Sequence, residues 1–96
     1  MKKFVFLYYG FEPLTEELKE TWGKWFQSIG DKMVDGGNPF AIGREITHKG
    51  IQELPLGKES ITGYSIINAG SLDEAEEIAR GCPIITGIRV YETTSM

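Results

Sequence analysis

The sequence predicts an α+β fold, one domain over residues 1–96, and three observations carry that prediction. The stretch Ile61–Glu92 reads as strand, capped helix, strand. The stretch Lys3–Tyr9 reads as a strand that is apolar on both faces. Between them lie a helix with an aromatic stripe and a further strand. The order is βα, then ββ, then αβ, and the two halves match a split βαβ unit. Right-handed crossovers then place both helices on one side of a four-stranded antiparallel sheet. The first and third strands are central.

Each element has a local reason. In Lys3–Tyr9, Phe4, Phe6 and Tyr8 face one way, and Val5, Leu7 and Tyr9 the other. Both rows need cover. Two helices cover one sheet face, and a second copy of the chain is the simplest cover for the other. Gly10–Leu14 reads as a turn, with Thr15 a helix cap. Leu18, Trp22, Trp25 and Ile29 then recur at i, i+4, i+7 and i+11, with Phe26 beside them, predicting a helix over Thr15–Ile29. Its tryptophans read as core, with an aromatic ligand wall as the alternative. Gly23 within that helix costs about 1 kcal/mol against alanine. Gly30 predicts the stop.

Asp31–Asn38 reads as a turn, tightest at Gly36-Gly37. It lacks the Gly-Lys-Ser/Thr of a phosphate loop. Pro39–Thr47 reads as the second strand, with Phe40, Ile42 and Ile46 on one face and Arg44 interrupting it. His48–Ser60 is a polar connection, long enough to be functional or to hold a small hairpin. Ile61–Asn68 has the β-branched and aromatic content of a strand. Ser71 predicts an N-cap, with Glu74 reaching back to it. Asp73, Glu74, Glu76 and Glu77 read as a solvated helix face favoured by the macrodipole, rather than as a metal or acid–base cluster. Leu72, Ala75, Ile78 and Ala79 make its apolar stripe. Gly81 predicts a left-handed end, and Pro83 prevents continuation. Ile88–Glu92 is the last strand and Thr93–Met96 a tail.

Bulk properties bound the partners. Net charge is −4 and basic residues form no run, which argues against nucleic acid. Cys82 is the one cysteine, so no internal disulfide or thiolate metal cluster is expected, which suits a reducing cytoplasm. It reads as a packed cysteine. Met1-Lys2-Lys3 with the following apolar run mimics the start of a signal peptide, but the run is short and meets Gly10, Glu12 and Pro13. No stretch approaches the length of a membrane span. No motif calls for a metal or cofactor.

The run Gly57-Lys58-Glu59-Ser60-Ile61-Thr62-Gly63-Tyr64, then Ser71-Leu72-Asp73-Glu74-Ala75 and Cys82-Pro83, resembles the YCII-related family of the dimeric α/β-barrel group. Leu7-Tyr8-Tyr9 and Gly36-Gly37 fit the same pattern. The likeness spans most of the chain and is dense from Lys58 to Pro83. It implies a ferredoxin-like protomer whose sheets meet face to face in a homodimer, with small ligands held between sheet and helices. Two departures stand out. An Asp-Gly-Pro-Phe signature is absent near Ile51–Leu54. The helix-one histidine of one branch has its nearest equivalent around Glu20, so a His–Asp mechanism does not carry over.

Three functions follow as expectations. The first is a cytoplasmic homodimer that binds a small organic ligand, with Arg44, Tyr64, Arg89, Tyr91 and Trp22 as candidate contacts and arginine suiting an anion. The second is a cofactor-free enzyme of the muconolactone isomerase or dehalogenase type. It would move a proton with His48, Glu59 or Glu20. The third is an interaction module with no ligand. An apolar pocket favours the first, a base displaced in pKa the second, and a cleft filled by Trp22, Trp25 and Phe26 the third.

Overall fold

The computed structural model describes residues 1–10, 15–83 and 86–94. Strand β1 (Lys2–Tyr9) leads to helix α1 (Glu16–Ser28), a 3-10 turn (Gly30–Lys32) and the short strand β2 (Met33–Asp35). Strands β3 (Gly43–Thr47) and β4 (Gly50–Leu54) follow. Strand β5 (Ile61–Ala69), helix α2 (Leu72–Arg80) and strand β6 (Gly87–Glu92) complete the order. The main sheet runs β2-β5-β1-β6 with every pairing antiparallel, and β3-β4 form a separate two-stranded sheet. The turn expected at Gly10–Leu14 lies outside the described residues from Phe11 onward, as do Ser95 and Met96 of the tail.

The alternation of β1 sets the layers. Phe4, Phe6 and Tyr8 sit opposite Ile67, Ser65 and Gly63 of β5, and all six are buried. Trp25 and Ile29 of α1 and Ala75 and Ala79 of α2 join them in one core. The other face carries Val5 between Ile66 and Tyr91, and Leu7 between Tyr64 and Arg89. Neither α1 nor α2 packs on that face, and the molecule is only 18 Å through its thinnest dimension, about one sheet and one helix layer.

Both helices start as their sequences predict. Thr15 Oγ1 accepts from Leu18 N at 3.1 Å, and Ser71 Oγ accepts from Glu74 N at 3.1 Å. Glu74 reaches one residue past the cap and takes the Gly70 N–H at 2.8 Å. The end of α2 differs from expectation. Gly81 stays right-handed (φ −81°), and its lack of a side chain serves packing: a Cβ there would lie 3.3 Å from Trp25 Nε1.

The second strand is the main correction. The sheet edge is Met33–Asp35, inside the stretch read as a turn, and only Pro39 of the predicted strand bridges to β5, at Gly63. The chain leaves the edge at Gly36-Gly37 and returns when Phe40 N donates to Thr62 O at 2.9 Å. Gly37 is required here. It has φ 78°, and a side chain would collide with the carbonyl oxygen of Tyr64. Of the rest of the predicted strand, Gly43–Thr47 belongs to the β3–β4 hairpin, whose ten strand residues are all exposed, and residues 40–42 are in no strand.

Candidate functional site

A cleft of about 550 Å³ opens between α1 and the β2 end of the sheet. Such a volume suits a small organic molecule. One wall is a single face of α1, on which Lys19, Trp22, Gly23 and Phe26 recur at i, i+3, i+4 and i+7. The Gly36–Phe40 connection and Thr62–Tyr64 of β5 supply other walls, and Tyr8 of β1 lines it from the sheet. Among the described lining residues, Lys19 alone carries a charge.

The sheet side is fixed by a buried relay. Tyr8 Oη donates to Ser65 Oγ at 2.8 Å, and Ser65 Oγ donates to the Gly36 carbonyl at 3.0 Å. Ser65 is fully buried, so this polar side chain has to be satisfied internally. The relay ties β1, β5 and the glycine turn together. The Tyr8 ring meets Trp22 edge-on at 5.2 Å, and Trp22 stacks on Phe26 at 5.6 Å. These contacts make one continuous aromatic surface.

Asp35 secures the connection at its start. Its carboxylate accepts from Gly37 N at 2.8 Å and from Tyr64 Oη at 3.1 Å. The bond to that carboxylate raises the Tyr64 phenol above its ordinary pKa. Phe40 stacks on the Tyr64 ring at 5.8 Å.

Burial pushes the Tyr8 phenol well above its usual pKa, against the lowering effect of its bond with Ser65. An unfolded tyrosine ionises near pH 10. The Tyr8 contribution is therefore fully present below that pH. Above it the unfolded chain sheds a proton that the folded chain keeps, and stability falls by about 1.4 kcal/mol per pH unit for this one group. Urea unfolding between pH 9 and pH 11 should show that slope reduced by the same amount in Tyr8→Phe. Equal slopes in the two proteins would contradict the buried phenol.

The structure brings two of the predicted ligand contacts, Trp22 and Tyr64, to the cleft. The others lie elsewhere. Arg44 is on the exposed hairpin, where its Nε pairs with Glu53 Oε1 at 2.9 Å, across from it in the strand register. Arg89 lies over the Tyr9 ring at 4.9 Å, and Tyr91 is opposite Val5, both on the face away from the helices. His48 occupies the β3–β4 turn, Glu59 the turn before β5 and Glu20 the exposed surface of α1. None of these three lines the cleft. Sequence reasoning did not name Tyr8, Lys19 or Phe40 as contacts, and named Phe26 only as a residue that could fill the cleft. For Lys19 and Phe26 the signal was present, because both share a helical face with Trp22 and Gly23.

Among the described residues no group of three or more His, Cys, Asp or Glu is placed to hold a metal ion, and no helix is long and apolar enough to cross a membrane. The fold and the cleft define an α+β protein with one helix-covered sheet face and an aromatic recess beside α1. Compared with known proteins, the chain matches no family model and no curated sequence.

Proposed function

We propose that this chain binds a small organic molecule in the cleft beside α1, as a YCII-related, ferredoxin-like protomer that pairs with a second copy through its outer sheet face. The observation that carries this reading is Gly23. A glycine inside a helix costs about 1 kcal/mol against alanine, and close packing is the usual compensation. Here, its own stretch of helix aside, no atom of the described residues lies within 4 Å of the position its Cβ would take, and Gly23 lines the cleft. A ligand that approaches the helix backbone supplies the reason for it.

Other features agree with parts of the reading. The order β2-β5-β1-β6, with β1 and β5 central, supports the ferredoxin-like assignment. The half-buried row of Val5, Leu7 and Ile66, on the face that neither α1 nor α2 covers, supports the pairing. Two alternatives are less well served. Proton transfer would need one of the candidate bases at the cleft, and His48, Glu59 and Glu20 do not line it. An interaction module would have all three large aromatics of α1 filling the recess. Instead Trp25 enters the core, and Trp22 and Phe26 line the walls.

Native mass spectrometry on freshly purified protein tests the proposal. The expected spectrum is a dimer carrying an additional small-molecule mass. Gly23→Leu should lose that mass while melting no lower than the wild type, since leucine is the better helix former. Retention of the mass by Gly23→Leu would put the ligand elsewhere. A wild-type protein that carries no mass, and takes none up from a small-molecule extract, would end the reading.

A further inference from the structure

We infer that the ligand is a planar aromatic carboxylic acid, its ring on the Trp22–Phe26 surface and its carboxylate on Lys19. The inference rests on the cleft being a ligand site and adds the class of molecule it takes. The walls are aromatic and glycine-rich. Trp22 and Phe26 form a stacked pair on α1, and Gly23, next to Trp22 in sequence, leaves open space where a side chain would stand, with no other described atom within 4 Å outside its own helix. A planar ring gains most on such a surface, because it stacks on aromatic faces and needs little depth. A branched aliphatic molecule gains only area.

The charge follows from Lys19. It is the one charged residue among the described lining, and no described carboxylate lines the cleft. A cation would therefore meet a like charge, with no carboxylate among the described lining to receive it. Lys19 precedes Trp22 and Gly23 by about one turn of α1, so an acid group on Lys19 leaves its ring over Gly23 within one helical pitch, about 5.4 Å. The ammonium's one ion pair among the described residues is an exposed one. Its Nζ lies 3.8 Å from Glu16 Oε1, and both side chains are more than half exposed, so that pair is weak and readily exchanged for a ligand carboxylate.

Titration with four probes, followed by quenching of tryptophan fluorescence, tests the class. The probes are 2-naphthoate, its neutral counterpart 2-naphthalenemethanol, the cation 2-naphthylmethyl-trimethylammonium, and octanoate. The acid should bind at least tenfold more tightly than each of the others. Lys19→Gln should remove the preference over the alcohol without changing affinity for the alcohol, and Lys19→Arg should restore it. Lys19 is exposed on the helix surface, so these variants fold as the wild type does. If the alcohol, the cation or octanoate binds as tightly as the acid, the class is wrong while the cleft remains a ligand site. The same holds if Lys19→Gln leaves the preference intact. If no probe binds the wild type, the inference falls together with the cleft reading on which it rests.

Discussion

Trp25→Ala is expected to lower the unfolding free energy by about 3–5 kcal/mol, the range for removing a large buried aromatic. For a domain whose total stability is of the order of 5–15 kcal/mol, that is a large share. Trp25 is 7% exposed, and its ring lies within 6.3 Å, centroid to centroid, of Phe6, Tyr8, Trp22 and Phe26. It is also a cross-brace. Its Nε1 donates to the Ile78 carbonyl at 3.3 Å, linking α1 to the last turn of α2, and the bare backbone at Gly81 lets the indole come that close. Truncation removes the contacts, the hydrogen bond and the filled volume together. Trp25→Phe keeps part of the volume and loses the bond. It should cost less, because Ile78 O also accepts from Gly81 N at 3.3 Å and is not stranded. Urea unfolding reads both variants as midpoint shifts at constant slope. A loss below 1 kcal/mol for the alanine variant would mean that α1 is anchored by something other than this indole.

What the sequence could disclose follows from how local each signal is. The β1 alternation, the Thr15 and Ser71 caps and the α2 stripe all depend on residues within a few positions of one another, and each appears in the structure, except that the stripe packs through Ala75, Ile78 and Ala79 while Leu72, at its start, is 51% exposed. The edge strand does not announce itself. Met33-Val34-Asp35 is three residues long and sits between a 3-10 turn and Gly36-Gly37, so its surroundings have turn composition. Its pairing with Ile67 and Ile66 is fixed only once β5 is in place. The β3–β4 hairpin has the converse problem. Ile42 and Ile46 look like core and are 74% and 76% exposed, because apolar periodicity records a face without recording what covers it. The same limit applies to α1. Spacing put Trp22 and Trp25 on one stripe, whereas packing sends Trp25 under the sheet and leaves Trp22 on the cleft wall. Arg44 interrupts the apolar face of the predicted strand, and it is matched by Glu53 across a hairpin that begins at Gly43, within that strand rather than within His48–Ser60.

Val5→Asp is expected to turn the proposed dimer into a folded monomer. Val5 is half-buried on the uncovered face, with Ile66 and Tyr91 as strand neighbours, and Leu7 and Tyr64 continue the same surface. In a dimer closed on this face, an aspartate at position 5 is desolvated without a partner, a cost of about 3–5 kcal/mol. That weakens association more than a hundredfold. In a monomer the same carboxylate keeps contact with water, so the protomer should melt only modestly lower. Phe6→Asp is the contrast. Phe6 is fully buried on the helix side, so a charge there should unfold the chain outright, whatever its partner. Sedimentation velocity at tens of micromolar, with circular dichroism on the same samples, separates the three states. The expected set is a wild-type dimer, a folded Val5→Asp monomer and an unfolded Phe6→Asp chain. A wild-type monomer would remove the pairing, and so would a Val5→Asp dimer of unchanged affinity. The cleft beside α1 would survive either result, because every residue used to build it belongs to a single chain; Tyr64, which also borders the uncovered face, is held at the cleft by Asp35 and Phe40 of the same chain.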